Sequence, residues 1–307
     1  MHELPSQSTL DTAGVGAERI VELFYWMAGS ATVIWIIVIG LSIYAMKSRQ
    51  EYPRRLTGWL VIGGGAVVPT IVLTGLLSYG LAMLPELQRP APEESLTIEV
   101  AGVRWWWRVE YKNDSGQRIA TANEIYLPVN QPVEFKLTSE DVIHSFWIPS
   151  IGGKVDMMPG RTNRLKLHPT REGVFSGVCA EYCGTAHAHM RFRVVVTSQE
   201  GFDEWLRNQS KDYGGSPEGV AVTFFVRGCS ACHSIRGTDA DGVVGPDLTH
   251  FGSRLSIAAG VLDNTPENLR RWLVDTHGVK PGAEMPEFRG LSDDEIESLV
   301  AFLESLQ

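Results

Sequence analysis

The sequence has little cysteine and a deficit of positive charge. Its 307 residues include 27 lysines and arginines against 36 acidic residues, and residues 211–307 alone carry 15 acidic and 8 basic side chains. This balance argues against a nucleic-acid partner and suits a basic protein partner. Four cysteines in an exported protein could form two disulfides. Each pair has histidine and methionine nearby, however, so we predict that all four bind cofactors: Cys179, Cys183, Cys229 and Cys232.

Two stretches, 24–46 and 59–84, lack any charged residue. Each exceeds the roughly 20 residues that cross a membrane as a helix. A buried helix pair in a soluble protein is a weaker interpretation, because uncharged runs of this length are rare there. A signal peptide is disfavoured by the 23 mostly polar residues before the first run. We predict a tail and a two-helix transmembrane hairpin in residues 1–90.

The loop between the two stretches is basic, whereas the preceding tail contains a single positive side chain, Arg19. The positive-inside rule therefore places the loop in the cytoplasm and both termini outside. The basic residues of the loop are Lys47, Arg49, Arg54 and Arg55.

Residues 91–210 follow a Pro-rich linker at 85–95 and change to short segments rich in β-branched and aromatic residues. Seven such segments, separated by turn residues, predict an all-β sandwich or barrel. The predicted strands are 96–103, 105–111, 132–138, 142–148, 164–167, 174–178 and 190–197.

Residues 179–190 concentrate soft metal ligands. Cys183, His187 and Met190, with one distant histidine, form the ligand set of a mononuclear copper site. A second thiolate four residues earlier, Cys179, would let two copper ions share two sulfurs, an arrangement suited to moving electrons. We predict His144 as the distant histidine, since it lies in a strand-like run. Zinc is the alternative metal, but a methionine ligand on one compact loop favours copper.

The motif Cys229-Ser-Ala-Cys232-His233 predicts covalent attachment of haem c, with the histidine as proximal iron ligand. Met285 lies 52 residues after that histidine, among prolines and glycines, and is the predicted sixth ligand. A thioether opposite histidine raises the reduction potential. Two more residues either contact the haem propionates or pack at the surface: Arg254 and Trp272.

Residues 211–307 fit a small all-α domain. A first helix precedes the attachment motif, and a second begins at Pro266 with Thr265 as its cap. The last begins with Ser292-Asp-Asp-Glu295, a capping box. The polar segment 208–217 before the domain is predicted to be a flexible linker.

The anchor, His144-Ser-Phe-Trp-Ile-Pro149, Met158-Pro-Gly-Arg161 and the 179–190 loop together resemble cytochrome c oxidase subunit II over residues 20–207. The resemblance implies a cupredoxin-like sandwich with a dinuclear CuA centre. Cys179 and Cys183 would bridge both coppers. His144 and Met190 would complete one copper, and His187 and the Glu181 carbonyl the other. The Glu181 side chain would face a Mg²⁺ site at the interface with the catalytic subunit.

The segment Gly102-Val-Arg-Trp105-Trp106-Trp107 matches the aromatic stretch of that family. The resemblance implies that Trp105 receives electrons, whereas Trp106 and Trp107 are better explained by packing. One departure is Arg191-Phe-Arg193, where smaller or apolar residues are expected.

Residues 216–307 resemble class I cytochrome c. In that family the proline of Gly245-Pro-Asp-Leu248 supplies a carbonyl that orients the haem histidine, which implies this role for Pro246 toward His233. The expected cofactors are therefore two copper ions, one covalent haem c and Mg²⁺ at the subunit interface.

The two resemblances imply the electron-input subunit of a terminal cytochrome c oxidase. Electrons would pass from haem c to CuA and on to a catalytic subunit I that reduces O₂ and moves protons, because this chain lacks the histidine clusters for that chemistry. Further expected partners are subunit III and a donor, either a soluble or membrane-bound cytochrome c or an upstream reductase. Both redox domains would lie on the periplasmic side of a bacterial inner membrane, where haem c is attached.

Other functions remain open at this stage. The same architecture could serve as the copper-containing subunit of a nitric oxide reductase, or the chain could be a stand-alone membrane-anchored electron carrier. A quinol oxidase subunit is disfavoured by the retained copper ligands, and a nitrous oxide reductase domain by the two-helix anchor.

Overall fold

A computed structural model describes residues 6–48, 53–113, 115–215 and 222–307. Arg49 of the basic loop and residues 216 and 217 of the predicted linker lie outside the described residues. By its contacts the chain divides into two units, one formed by residues 19–89 and the other by residues 1–18 and 90–307.

The 19–89 unit is a pair of long apolar helices. Helix α1 spans Val15–Lys47, and the second helix runs without interruption as α2 (Arg54–Trp59), a π-helical stretch (Leu60–Val67) and α3 (Val68–Leu87). Arg19 forms a 3.1 Å ion pair with Glu86, so the start of one helix meets the end of the other. Both helices are long and apolar enough to span a membrane, which agrees with the predicted hairpin.

The π-helical stretch ends beside Pro69, which explains its position. A proline inside a helix has no N–H to donate, and its ring crowds the carbonyl four residues earlier. A wider π turn relieves that crowding at Gly65. The Thr70 hydroxyl donates to the Ala66 carbonyl over 2.7 Å and satisfies one of the neighbouring acceptors.

The middle of the chain forms a sandwich of two five-stranded sheets, with strand orders β3-β2-β1-β5-β8 and β4-β10-β9-β6-β7. Alternate side chains of both sheets meet in an aromatic core that includes Trp107, Phe146 and Phe192. The cupredoxin-like fold is thus confirmed. The strands are β1 (Leu96–Val103), β2 (Trp106–Lys112), β3 (Arg118–Ala122), β4 (Glu124–Pro128), β5 (Val133–Ser139), β6 (His144–Trp147), β7 (Val155–Met157), β8 (Asn163–Leu167), β9 (Gly173–Cys179) and β10 (Arg191–Thr197).

Two segments outside the predicted strands complete the sandwich. Helix α4 (Gln199–Gln209) begins at Ser198, whose hydroxyl accepts the Gly201 N–H, and its Trp205 stacks on Tyr126 at 4.3 Å between ring centroids. The N-terminal tail also packs on this domain, where the Ala13 N–H donates to the Ser150 carbonyl over 2.6 Å. Neither contact was predicted.

The C-terminal domain is mainly helical, as predicted. Its cap residues behave as expected: the Thr265 hydroxyl accepts the Asn268 N–H, and Ser292 and Glu295 form a reciprocal capping box. The elements are α5 (Val222–Val226), the short hairpin β11 (Ser256–Ile257) and β12 (Leu262–Asp263), α6 (Pro266–Val274), α7 (Thr276–Val279) and α8 (Asp293–Ser305).

The linker prediction was wrong for residues 209–213, which pack against the C-terminal domain. Gln209 is buried, and its carbonyl accepts a hydrogen bond from the Arg236 guanidinium. The Tyr213 N–H donates to the Arg236 carbonyl over 2.9 Å. Composition alone did not reveal these partners, because they lie more than 20 residues away.

Candidate functional site

The sheet order brings the predicted metal ligands together. Strands β6 and β9 are neighbours, so His144 at the start of β6 lies near Cys179 at the end of β9. The chain then turns through a short 3-10 helix that includes His187 and reaches Met190 just before β10. Three donor atoms, from His144, Cys179 and Cys183, lie within 4.8 Å of one another in a buried cluster.

Two sulfur atoms form the centre of this cluster. Cys179 Sγ and Cys183 Sγ are 3.8 Å apart, which is far too long for a disulfide bond of about 2.05 Å. Two metal–thiolate bonds of about 2.3 Å, as in zinc sites, easily span this gap. The arrangement therefore fits metal ions shared by two sulfurs.

Four further donors surround the sulfur pair at similar distances. His144 Nδ1 lies 3.8 Å from Cys179 Sγ, and the Glu181 carbonyl oxygen 3.2 Å from it. His187 Nδ1 and Met190 Sδ lie 3.6 Å and 3.8 Å from Cys183 Sγ. The structure thus brings together all six ligand residues predicted from the sequence, whereas the Glu181 side chain points into solvent.

Electrostatics in the cluster favour thiolate at one position. The hydrogen bond from Cys183, and next the one from His144, hold the pKa of Cys179 at about 4. The neighbouring Cys179 sulfur and burial raise the pKa of Cys183. The surroundings thus favour the thiolate at Cys179 over Cys183, and a cation bound between the two sulfurs would favour ionisation of both.

Asp141 orients His144. Its Oδ1 lies 2.8 Å from His144 Nε2, which leaves Nδ1 directed at the sulfurs. A carboxylate that fixes the other ring nitrogen of a ligand histidine is a recurring feature of metal sites. Asp141 and Cys179 also raise the pKa of His144 against the effect of burial, which lowers it. Sequence reasoning missed Asp141, although an acidic residue three positions before the histidine was a usable signal.

A glycine lies directly behind the His144 ring, and the Gly102→Ala variant tests how much that space matters. A Cβ at Gly102 would lie 2.6 Å from His144 Cδ2, so the imidazole must move. We expect copper affinity to fall by about 10- to 100-fold, the usual cost of disturbing a ligand's support. Chelator competition on the purified chain measures the effect.

The matched control is Gly290→Ala, since no atom lies within 4 Å of a Cβ at that position. It should leave copper affinity unchanged. Equal affinity in the Gly102→Ala chain would show that the ring position does not control metal binding.

A second candidate site is an apolar cavity of about 210 Å³ in the C-terminal domain. Its lining includes every residue predicted to hold the haem: Cys229, Cys232, His233 and Met285. His233 Nδ1 lies 2.8 Å from the Pro246 carbonyl, in the predicted orienting contact. Burial lowers the pKa of His233 and raises the pKa of Cys229 to about 11. A neutral imidazole that donates through Nδ1 keeps Nε2 free for a metal.

Two polar groups on the cavity wall lack partners. Arg254 Nε and Ser256 Oγ are buried, line the cavity and have no hydrogen-bond partner among the described residues. An unpaired buried guanidinium nitrogen is costly, so it indicates an acidic group that the cavity would hold. Haem propionates supply such a group. Trp272 lines the same cavity. Arg254 and Trp272 therefore both lie on the cavity wall, which favours contact with a propionate over surface packing.

Trp105 connects the two candidate sites. It lines the cavity, and its indole Nε1–H donates to the Cys183 carbonyl over 3.0 Å. Trp106 lines the cavity as well, whereas Trp107 is fully buried in the sandwich core. The packing interpretation is thus sufficient for Trp107 but incomplete for Trp106.

The sandwich and the C-terminal domain contact each other through buried polar groups. The Glu124 carboxylate accepts the Leu255 N–H over 2.8 Å, and Arg193 lies 3.6 Å from Asp263. The Arg191 N–H donates to the Ala259 carbonyl over 3.0 Å. These contacts account for the departure at Arg193, which is half-buried beside Asp263 of the second domain, whereas the Arg191 side chain is exposed and only its backbone makes the contact.

Glu124 gives this interface a pH dependence. Burial raises its pKa from 4.5 to about 7, against the opposing effects of the Leu255 N–H and two arginines. Between those values the unfolded chain binds fewer protons than the folded one, so the free energy of unfolding should fall as pH rises. The loss is at most about 3 kcal/mol. Thermal unfolding between pH 4.5 and 7 measures it.

The Glu124→Gln variant is the control for that pH profile. It keeps an acceptor for the Leu255 N–H but cannot ionise, so its profile should be flatter over the same range. An equally steep profile in the variant would assign the pH dependence to other groups.

Two further histidines, His168 and His189, lie outside the two sets of proposed ligands. His168 is half-buried, with its carbonyl bonded to the Val15 N–H. His189 is half-buried beside the metal loop, and burial lowers its pKa, with a further contribution from Lys280.

Comparison with known protein families agrees with this geometry. The profile described as "Cytochrome C oxidase subunit II, periplasmic domain" matches residues 112–198, and the profile described as "Cytochrome c" matches residues 221–307.

Individual relatives match over most of the chain. Cytochrome c oxidase subunit 2 of Alkalihalophilus pseudofirmus is 33% identical over 98% of this chain and 91% of its own length. The protein of the same name from Bacillus sp. PS3 is 36% identical over 78% of this chain and 69% of its own length. The crystal structure of the periplasmic domain of subunit II of cytochrome oxidase from Bradyrhizobium japonicum is 30% identical, with a TM-score of 0.36, over 39% of this chain and 96% of that one.

Proposed function

Because the chain belongs to the cytochrome c oxidase subunit 2 family, we propose that it carries electrons from a C-terminal haem c to a dinuclear copper centre and on to a catalytic subunit. The sandwich and the cytochrome c domain imply copper and haem binding. One observation carries the proposal: Trp105 touches both the haem cavity and the Cys183 carbonyl.

The copper ligands in this proposal are the six residues of the buried cluster. Cys179 and Cys183 would hold the metals through their sulfurs, supported by the 3.8 Å separation of the two sulfurs and the lowered pKa of Cys179. His144 with Met190 and His187 with the Glu181 carbonyl complete the two coordination shells. When bound, the copper pair supplies one-electron redox chemistry with two soft sulfur ligands.

The C-terminal cavity holds the haem in this proposal. Cys229 and Cys232 would attach it covalently, and His233 and Met285 would hold its iron. The Pro246 carbonyl fixes the ring of His233, and Arg254 neutralises a propionate through its unpaired Nε. The thioether ligand raises the reduction potential, which suits a carrier near the oxidising end of a chain.

Trp105 is the proposed coupling residue between the cofactors. Its indole ring lies between the cavity and the metal loop, in contact with the backbone at Gly282 and Gly184. Its N–H fixes the Cys183 carbonyl and thereby the loop that carries two predicted ligands. In relatives without a fused haem domain, the aligned tryptophan is the position expected to receive electrons from cytochrome c. Here the chain's own second domain covers it.

The chain is membrane-anchored with its folded domains on the outer side. We further propose a bacterial inner membrane, with both termini and both redox domains in the periplasm. The catalytic subunit I and subunit III are the proposed membrane partners, and a cytochrome c or an upstream reductase the donor. The exposed Glu181 side chain is a proposed Mg²⁺ ligand at the subunit I interface.

The proposal is tested on the native complex, purified through a tag on this chain in mild detergent. Reduced cytochrome c is supplied, and the consumption of O₂ and of NO is recorded separately. Rapid, cyanide-sensitive O₂ uptake supports the proposal. Turnover of NO with little O₂ uptake would instead indicate a nitric oxide reductase. If neither activity is found and no large subunit co-purifies, the chain is a stand-alone electron carrier.

A further inference from the structure

Lys280 is a buried lysine at the contact between the two redox domains. Only 4% of it is exposed, and its Nζ donates to the Trp105 carbonyl of the sandwich and, over 3.3 Å, to the Ala258 carbonyl of the C-terminal domain. No ion pair with a carboxylate accompanies these contacts among the described residues. Burial lowers its pKa to about 7. Such a group costs stability where it lies, so its position calls for another explanation.

The segment that follows Lys280 packs on Trp105. A Cβ at Gly282 would lie 3.1 Å from Trp105 Cζ3 and 3.2 Å from Thr185 Cβ, so the backbone itself contacts the indole. Gly282 also has a left-handed φ of +84°, which favours glycine. On the other side, a Cβ at Gly184 of the metal loop would lie 3.0 Å from Trp105 Cζ2. The indole therefore contacts the backbone of both the metal loop and the 280–285 segment.

The 280–285 segment ends at Met285, the proposed axial ligand. Lys280 fixes the start of this segment to the backbone of Trp105, and Trp105 is fixed to Cys183 through its indole N–H. The covalent chain alone does not hold the segment there, because Trp105 and Lys280 are 175 residues apart.

We propose that Lys280 is a positioning residue for electron transfer between the two cofactors. It holds the 280–285 segment against Trp105, so that the haem cavity and the metal loop keep one fixed separation. This inference rests on the proposed function. The step concerned moves one electron from ferrous haem to the oxidised copper pair, and no bond is made or broken.

The Lys280→Met variant of the full chain, loaded with haem and copper, is the test. Methionine keeps an unbranched side chain but removes the charge and the donors. A photoexcited ruthenium complex reduces the haem, and the subsequent haem oxidation is followed optically under anaerobic conditions. We expect this transfer to slow about ten-fold, because the released segment lets the reacting centres shift, and a misplacement of about 1 Å can cost up to about 10²-fold in rate. Amide hydrogen exchange should become faster at 280–285 and at 104–106.

If Lys280 served only to stabilise the fold, its loss would lower the midpoint of thermal unfolding. The positioning role predicts no such decrease. Replacement of a buried cation by an apolar side chain is often neutral or stabilising, so the midpoint of thermal unfolding should not fall in Lys280→Met. The haem and copper reduction potentials are recorded in parallel. If a changed potential difference accounted for the slower transfer, the positioning role would be excluded.

The matched control is Arg108→Met. Arg108 also donates across the domain contact, to the Val243 carbonyl over 3.0 Å, but it touches neither the Trp105 carbonyl nor the 280–285 segment in the contacts described. Its transfer rate should stay within about two-fold of the unmodified chain. Equal slowing in both variants would mean general loosening of the interface and would overturn the inference.

Failure of the inference and failure of the proposed function give different results. If the unmodified chain shows no haem-to-copper transfer, the proposed function is wrong. If it transfers electrons and Lys280→Met does so at the same rate, only the role of Lys280 is wrong. Unchanged amide exchange at 280–285 would show in either case that Lys280 does not hold this segment against Trp105.

Discussion

The Cys179→Ser variant is expected to lose the shared copper pair and to lower oxidase turnover by at least about 100-fold, since even changes behind the ligands cost 10- to 100-fold. A serine hydroxyl does not ionise near neutral pH and is a hard ligand that Cu(I) binds poorly. Cys179 is also the sulfur whose pKa its surroundings lower. Metal analysis and electron paramagnetic resonance of the purified complex measure the loss.

The same variant should leave the haem reducible by the donor, because its attachment cysteines lie in the other domain. Haem c should therefore accumulate in the reduced form during attempted turnover. The control is Met157→Leu, which changes a fully buried methionine paired with His144 across β6 and β7 but outside the ligand set. A Cys179→Ser chain with full copper content and normal turnover would refute the proposed bridging role.

The double variant Cys229→Ser, Cys232→Ser is expected to leave the C-terminal domain without haem and largely unfolded. An unfilled apolar cavity of about 210 Å³ costs about 5 kcal/mol. A domain of this size has a total stability of only about 5–15 kcal/mol. Cavity-lining core residues such as Phe224, Leu299 and Leu303 would lose their packing partner. Limited proteolysis and covalent haem content provide the measurement.

The sandwich should survive this change, with its copper intact, since its own core is separate. The control is Met285→Leu, which keeps both attachment thiols and fills similar space, so that the domain should stay folded. A protease-resistant C-terminal domain without haem would contradict the expectation.

Local patterns were enough to predict the strands and caps that depend on nearby residues. Strand β1 was predicted with the bounds that the structure gives it, because residues 96–103 alternate between the two faces. The capping box at Ser292 needed only the glutamate three residues later. The short strands β3, β4 and β7 were missed, since each has at most five residues and no clear alternation.

The candidate ligands were found because most stand in two short motifs. His144 and Met285 were the exceptions. His144 was identified because a sandwich brings distant strands together, and Met285 from its proline and glycine neighbours and its distance from His233. Glu124 and Lys280 could not be found this way. Their importance depends on how the second domain packs against the first, for which neither residue's neighbours in sequence give a pattern.

The departure at Arg191 and Arg193 also depends on packing between the domains, which the sequence alone did not reveal. Charged residues beside the metal loop departed from the smaller or apolar residues that the family resemblance implied there. With the C-terminal domain in contact, one donates a backbone N–H across the interface and the other lies near Asp263.

Because the C-terminal domain covers Trp105, the proposed electron transfer from haem to copper takes place within one molecule instead of between two. Since haem and copper ligands belong to one polypeptide, their electron exchange is a first-order event whose rate is independent of protein concentration. The buried contacts at this junction are also little screened by salt. Ionic strength should therefore act on bimolecular steps with other proteins rather than on this internal transfer. The C-terminal domain and the sandwich thus remain in contact between encounters with a donor, even where that donor is slow or scarce.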